Sequence, residues 1–347
     1  MQLKSSIVSR TRNLPGLAAL AVALTGLAGT PILLAKMAET ARAQTTEAAS
    51  LRLDWLASGY HVPFFYALER GYYRDQGIDL TIADGKGSTT TLQVVASGNE
   101  TFGATNLSTM ALGVAKGVPV VAVAALIQKS PDAILSLKDT GIASPKDIEG
   151  KRGAFVVTSA STKIFPAFAK AAGIDMDKVT KLQIEGSARY SVVLQGNADF
   201  VLGWSFTDNF KINKHKPTAE PILFADSGVN ILGIGVVVNT DTLKQRGSLV
   251  RRFLAATVKG IDETVRNPEA AVDATMKMRP STDREALADA AMHLKPYLRT
   301  KQSEHHPYGW MAKEDWEQSK HILVQYLGLS ESIPTDSLYT NAFLPEQ

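Results

Sequence analysis

Apolar and polar positions along the chain alternate with two different periods, and together they predict strands and helices in turn. Apolar stretches of strand length occur at 51–56, 78–82, 102–105, 118–127, 153–157, 179–184, 199–202 and 231–239. Apolar residues at helical spacing lie between them, the clearest set being Val62, Phe65, Leu68 and Tyr72. From residue 240 onward the pattern is helical, over 248–266, 268–278, 283–293 and 313–327. This order predicts α/β lobes, each with a mostly parallel sheet flanked by helices, onto which the C-terminal helices pack.

A short sequence pattern, Val-Val-x-x-Gly-Asn-x-x-Phe, occurs twice, at Val94–Phe102 and at Val192–Phe200. Each copy follows a Gly-Ser pair and leads into polar residues where a predicted strand ends. Two copies are too few for a solenoid, which needs three or more stacked units, so they predict two similar α/β lobes. Ligands of such sheets bind beyond the carboxyl ends of the strands, where these polar residues fall.

The first 43 residues have the features of an export signal. A short positively charged segment precedes an almost wholly apolar run from Gly16 to Ala35, and Ala41-Arg42-Ala43 offers the small-x-small pattern of a cleavage site. The run is also long enough for an uncleaved anchor, but its internal glycines and Pro31 favour removal. We therefore predict a signal peptide over 1–43, cleaved near Ala43, and a periplasmic mature protein.

Charge and composition exclude several classes of function. The signal holds five Lys or Arg and one Glu, a net of +4, against +3 for the whole chain, so the mature part carries −1. A nucleic-acid-binding domain would need a strongly basic surface. The chain has no cysteine, which excludes a lipoprotein anchor, disulfides and thiolate metal sites. The adjacent His305 and His306 point apart and have no third ligand spaced near them, so we expect neither a metal nor a cofactor.

A series of motifs occurs in a fixed order along the mature chain. It comprises Asp54-Trp55, Phe65–Leu80, Gly87–Thr89, Ala96–Phe102, Gly117–Val120, Ser144–Lys151 and Pro166–Ile174. Behind an export signal, this ordered set resembles the periplasmic substrate-binding proteins of ABC importers, in the group that takes up sulfonates, nitrate and thiamine pyrimidine precursors. The resemblance covers most of 51–240 and is weak after about 250.

The resemblance implies a type II periplasmic-binding fold, in which two α/β lobes are joined by two crossing segments. We expect the crossings near Ala133–Lys138 and Ile231–Val238, so that one lobe comprises 44–135 with 236–347 and the other 136–235. Ligand that touches both lobes favours the closed state, because only differential contact can shift that equilibrium. The implied partners are a small-molecule ligand and an ABC importer permease at the inner membrane. We expect a monomer that binds no nucleic acid.

Aromatic residues after the first predicted strand are candidates for holding a flat ligand. Trp55, Tyr60 and His61 lie at its carboxyl end, and offset stacking of a heterocycle on such rings adds about 0.5–1.5 kcal/mol beyond burial. The alternative is that Trp55 belongs to the lobe core and His61 caps a helix. On the other lobe, Trp204 follows the second copy of the repeated pattern and can stack on the same ligand. Asp208 can accept hydrogen bonds from a ring amine, or it is a solvated surface residue.

Hydroxyl-rich segments at predicted helix starts are candidates for holding an anion. Gly87, Ser88 and Thr89 open one helix, and Asn106 and Ser108 stand at the next strand end. Free N–H groups at a helix start make an anion site, although each segment can also serve only as the cap of its own helix. The opposite lobe offers a matching segment at 158–162, with candidate residues Ser159, Ser161 and Thr162.

Two ligand classes therefore remain open, and so do two other kinds of protein. The ligand is a nitrogen heterocycle held by aromatic rings, or a small organic anion such as a sulfonate, nitrate or carboxylate held by helix starts. An enzyme is the alternative of another class, since the related pyrimidine synthases share this fold and sacrifice a histidine of their own. A receptor that feeds a signalling partner is the other. Export and the absence of cysteine favour the binding protein, which performs no chemistry.

Overall fold

The computed structural model describes residues 46–157 and 159–346. The predicted signal peptide at 1–43 lies outside these ranges, as does Thr158. Within them, no helix combines the length and the apolar character needed to cross a membrane.

Ten strands form two five-stranded sheets. Their bounds are Glu47–Arg52 (β1), Ile78–Ala83 (β2), Phe102–Asn106 (β3), Val120–Ala125 (β4), Asp132–Ser136 (β5), Arg152–Val156 (β6), Thr180–Ile184 (β7), Phe200–Trp204 (β8), Ile222–Leu223 (β9) and Ile234–Asn239 (β10). The order is β2-β1-β3-β10-β4 in sheet 1 and β7-β6-β8-β5-β9 in sheet 2. In each sheet one strand, β10 or β5, runs antiparallel to its neighbours. Four strands of five in each sheet thus share a direction, which confirms the mostly parallel α/β prediction.

Helices flank both sheets and follow the predicted pattern closely. Their bounds are Val62–Glu69 (α1), Tyr72–Asp75 (α2), Ser88–Ala96 (α3), Leu107–Val114 (α4), Ala160–Ala171 (α5), Arg189–Leu194 (α6), Asp208–Asn213 (α7), Thr240–Gln245 (α8), Gly247–Arg266 (α9), Pro268–Met278 (α10), Arg284–Met292 (α11) and Lys313–Leu327 (α12). The last four agree with the predicted C-terminal helices to within one residue at each end. Pro166 lies inside α5.

The repeated sequence pattern marks equivalent positions in the two sheets. Its first copy ends α3, turns at Gly98 and enters β3; its second ends α6, turns at Gly196 and enters β8. Both glycines have positive φ, 77° and 71°, a conformation that a side chain would strain. Since β3 and β8 are the central strands of their sheets, the pattern records two lobes of the same topology.

Two segments cross between the sheets. One runs from β4 to β5 over 126–131, and the other from β9 to β10 over 224–233. The second agrees with prediction in part, but the first was placed too late, because Ala133–Lys138 overlaps strand β5. That strand pairs with β8, some 65 residues away, so its pairing leaves no local signal in the sequence. The predicted lobe limits at 135 and 235 therefore fall inside β5 and β10.

The C-terminal helices complete both cores. Phe253 of α9 stacks on Phe102 of β3 at a centroid distance of 3.8 Å. It also stacks with Tyr73, whose ring centroid lies 5.3 Å from its own. Helix α12 joins two cores at once. Its Trp316 and Leu323 pack with strands of sheet 1, while Ile322 packs with the aromatic core beside sheet 2.

Candidate ligand-binding cleft

A cavity of about 410 Å³ lies between the two sheets, beyond the carboxyl ends of their parallel strands. From the sheet 1 side it is lined by Asp54, Trp55, Ser58, Tyr60, Gly87 and Ser88. From the sheet 2 side it is lined by Ser159, Ala160, Ser161, Arg189, Trp204, Thr207, Asp208 and Lys211. We call this cavity the aromatic compartment, because three aromatic side chains line it.

A second cavity, of about 370 Å³, adjoins the first. Ala160 and Trp204 line both, so together they form one cleft with two compartments. The second is lined by Thr89, Asn106, Ser108, Thr109, Leu112, Ser130, Pro131, Asp132, Ala160, Lys163, Ile164, Trp204, Ile231, Leu232, Gly233 and Leu327. We call it the polar compartment after its hydroxyl, amide and charged side chains.

Eleven of the thirteen predicted ligand-binding residues line this cleft, and two do not. Those in the aromatic compartment are Trp55, Tyr60, Gly87, Ser88, Ser159, Ser161, Trp204 and Asp208, and those in the polar compartment include Thr89, Asn106 and Ser108. His61 is fully buried behind the cleft. Thr162 faces a separate apolar cavity beside Phe165. Successive residues of a helix point about 100° apart, and in α5 it is Thr162 that points away from the cleft lined by Ser161.

His61 holds Asp54 at the wall of the aromatic compartment. Its Nε2 lies 2.8 Å from a carboxylate oxygen of Asp54, and its Nδ1 accepts the backbone N–H of Ser58 at 3.2 Å. That acceptor role leaves the proton on Nε2, so the imidazole donates to Asp54. The hydroxyl of Tyr60 also lies 3.3 Å from Asp54, and burial raises the pKa of that phenol well above its usual range. His61 thus orients a cleft carboxylate through Nε2 and, through Nδ1, caps the short 3-10 helix Gly59–His61, as the alternative prediction held.

The aromatic side chains differ in exposure. Tyr60 is buried, and its ring centroid lies 5.7 Å from that of half-buried Trp204, which reaches it from sheet 2. Trp55 is 54% exposed, so it is not part of the lobe core. The gap between Tyr60 and Trp204 is too small for a ring to enter, so the pair forms a wall.

Asp208 is buried and its carboxylate is hydrogen-bonded to protein groups. The alternative prediction of a solvated surface residue is therefore wrong. Its carboxylate accepts from Arg189 at 3.0 Å, from the hydroxyl of Tyr190 at 2.7 Å and from the backbone N–H of Trp204 at 2.9 Å. Burial, followed by the charge of Asp208, raises the pKa of Tyr190. Asp208 therefore fixes Trp204 and Arg189, while the buried Nε of Arg189 has no hydrogen-bond partner among the described residues. The pairing of Arg189 with Asp208, 19 residues further along the chain, leaves no local signal in the sequence.

Three helices begin at the cleft: α3 and α4 beside sheet 1, and α5 beside sheet 2. Gly87, at a φ of 117°, is the N-cap of α3, so Ser88 is its first helical residue. Its hydroxyl accepts the backbone N–H of Asn106 at 3.1 Å. Asn106, and not Ser108, caps α4 by accepting the N–H groups of Ser108 and Thr109. Ser159 precedes α5 and makes no side-chain cap.

Asp132, at the start of β5, is a cleft residue that the sequence reading missed. It accepts hydrogen bonds from the hydroxyls of Ser130 and Ser161. Burial raises its pKa, and those two hydroxyls oppose the shift. The misplaced crossing concealed it, whereas Asp54, directly before Trp55 at a strand end, could have been found by the same rule that selected the tryptophan.

Two mixed sheets with flanking helices, joined by two crossing segments around a cleft, constitute the periplasmic binding protein fold. The chain belongs to the NMT1/THI5 like family, whose sequence model matches residues 58–271.

Relatives in this family include both binding proteins and enzymes. The chain is 24% identical to the formylaminopyrimidine-binding protein of Halalkalibacterium halodurans over 280 residues, 79% of this chain and 84% of the relative. It is 25% identical to the 4-amino-5-hydroxymethyl-2-methylpyrimidine phosphate synthase of Legionella pneumophila, over 86% of this chain and 92% of the relative. The fold matches the periplasmic aliphatic sulphonate binding protein SsuA of Escherichia coli with a TM-score of 0.66 and 14% identity, covering 87% and 94% of the two chains.

Proposed function

We propose that the protein is the extracytoplasmic solute-binding component of an ABC importer, and that it binds an aromatic nitrogen heterocycle in the cleft. The observation that supports this most is the wall of Tyr60 and Trp204, contributed by both sheets, beside the carboxylate of Asp54. The apolar faces of the rings suit a flat ring, and the carboxylate suits its amine or ring N–H. A relative named for formylaminopyrimidine binding agrees with a ligand of this class.

Native mass spectrometry of protein purified without denaturation tests the ligand class. We expect a co-purifying small molecule that contains an aromatic nitrogen heterocycle. An aliphatic molecule without a ring, bound at one equivalent, would contradict the heterocycle.

Asp54 is expected to supply the polar half of this recognition. Asp54→Asn should weaken binding of an aminoheterocycle by about 1–3 kcal/mol, because a neutral amide replaces the charged acceptor of the ring amine. Asp79→Asn, on an exposed position of β2, is the matched control and should leave the dissociation constant unchanged. Isothermal titration calorimetry measures both. Equal affinities of the two variants would remove Asp54 from ligand recognition.

A small organic anion is the second candidate, favoured by the helix starts that meet at the cleft. In the described chain, the N–H groups of Ser88 and Thr89 on α3 donate to no residue, and Arg189 and Lys211 lie nearby. Such donors make an anion site. Titration with an alkanesulfonate at low and high salt separates the candidates. An anion that binds through these groups should lose affinity as salt rises, whereas a stacked neutral ring should not.

We propose binding without chemistry, although some relatives are named as synthases. A synthase of the kind implied by the resemblance consumes one of its own histidines. None of the six histidines, all within the described ranges, lines either compartment. His61 lies nearest to the cleft in the fold and is fully buried behind Asp54. Incubation with ligand should therefore release it unmodified and leave the intact mass of the protein unchanged; a loss of mass at a histidine would indicate the enzyme.

Export is expected to deliver the mature protein to the periplasm, where it would work as a monomer with an inner-membrane permease. The cleavage pattern predicts an N-terminus at Gln44. Osmotic shock should release protein with that N-terminus without detergent. Protein that begins at Met1 and stays in the membrane pellet would instead indicate a retained anchor.

A further inference from the structure

The cleft has more room than one ring needs. Three aromatic side chains line one compartment, whereas Trp204 is the one aromatic residue among the described residues that line the other. Building on the proposed function, we propose that the ligand has two parts: an aromatic ring in the aromatic compartment and an uncharged, hydroxyl-bearing arm in the polar compartment. The compartments meet at Ala160 and Trp204, so a single molecule can occupy both. Their volumes, about 410 and 370 Å³, each lie near the lower end of the range of roughly 300–1,000 Å³ for small-molecule sites.

The polar compartment presents side chains that the rest of the protein leaves unpaired. Within 46–157 and 159–346, the hydroxyls of Thr89, Ser108 and Thr109 have no hydrogen-bond partner, although the same helix uses backbone N–H groups of the last two. The side-chain Oδ1 of Asn106 caps α4 as an acceptor, and its Nδ2 remains as a donor. These four groups line one wall. Thr89 is exposed and the other three residues are half-buried, so their donors and acceptors are accessible to a ligand.

The charges of the polar compartment favour an uncharged arm. Lys163 is its one cation and Asp132 its one anion among the described lining residues, so the formal charges cancel. Asp132 is already bonded to two serine hydroxyls. The remaining hydroxyls and amide can each serve as donors or, for hydroxyls, as acceptors too. Alcohol groups match such a surface in both roles, whereas the charges that a phosphate or sulfonate would meet here are the ammonium of Lys163 and the carboxylate of Asp132.

Two matched pairs of probes test this inference: cytidine with cytosine, and riboflavin with lumiflavin. Each pair shares a ring, and only the first member carries a polyhydroxylated arm. Isothermal titration calorimetry on the full mature protein should show, for at least one pair, a dissociation constant at least tenfold lower for the member with the arm. Equal affinities within both pairs, binding by the armless members alone, or binding by none of the four would overturn the inference. In each case the native mass spectrum of the co-purified molecule still decides separately whether the ligand is a heterocycle.

Variants of the polar compartment locate the arm. The double substitution S108A/T109V removes two hydroxyls at nearly constant volume and should reduce the tenfold preference for the arm to below threefold. Thr90→Val, a similar change on an exposed residue of α3 outside both compartments, should keep the full preference. Lys163→Gln should change the affinity of the armed probe by less than threefold. A preserved preference in the double variant would place the arm elsewhere, and a tenfold loss in Lys163→Gln would make the arm anionic and overturn its uncharged character.

Discussion

Trp204→Ala should produce the largest loss of ligand affinity of any single cleft substitution, about 2–4 kcal/mol, or some thirtyfold to several hundredfold in the dissociation constant. Trp204 lines both compartments and forms the wall with Tyr60, so its removal takes a surface from each part of the ligand. Its backbone N–H is held by Asp208, which fixes the position of the ring. Calorimetric titration with the co-purified ligand, after its removal from the protein, measures the effect.

The control for this substitution is Trp310→Ala. Trp310 is half-buried and stacks on His306 with a centroid distance of 3.6 Å. It lines neither compartment, so its loss should leave the ligand affinity unchanged. Trp55→Ala should have a smaller effect than Trp204→Ala, because Trp55 is more than half exposed before ligand arrives. If Trp204→Ala changes the affinity by less than twofold, the aromatic wall does not hold the ligand and the helix starts become the better candidate.

Phe253→Ala should cause the largest loss of stability, about 3–5 kcal/mol in the free energy of unfolding. The ring is fully buried and stacks with both Phe102 and Tyr73, so truncation leaves a cavity where helix α9 meets sheet 1. Urea denaturation followed by circular dichroism measures the change.

Phe210→Ala is the matched control, because it makes the same substitution at a less buried position. Phe210 is half-buried on α7, and we expect its truncation to cost less than half as much. Equal costs for the two phenylalanines would mean that the stacked cluster around Phe253 relaxes fully around the missing ring.

The helices and strands were predictable because their signals are local. The C-terminal helices have apolar faces and clear termini, and the repeated pattern located the central strand of each sheet. Strand β5 was missed because its partners β8 and β9 lie far along the chain. All five of its residues are buried, so it shows no alternation that would distinguish a strand from a connecting segment.

The cleft was predictable as a set of strand ends, whereas the roles of its residues were not. The rule that ligands bind beyond carboxyl ends selected residues from both sheets. Roles depend on pairing in space: Ser161 donates to Asp132, Ser88 accepts from Asn106, and His61 donates to Asp54. Since these hydroxyls already have protein partners, Ser88→Ala and Ser161→Ala would report on cleft geometry as much as on a bound anion.

We expect helix α12 to keep one end of this cleft closed. The helix packs in both cores, so separating the sheets there would expose apolar surface. The free-energy cost of that exposure is about 25 cal/mol per Å². Its last residue, Leu327, lines the polar compartment, which therefore lies at the closed, inner end. At the other end of the cleft, near Lys211, an ion pair between Lys214 and Glu285 spans the two lobes at 2.7 Å. Both side chains are well exposed, and such ion pairs contribute only about 0–1 kcal/mol to stability. We expect the cleft to open at the Lys214–Glu285 end, with α12 holding the other end together. A two-part ligand would then enter with its arm first, and its ring would close the entrance.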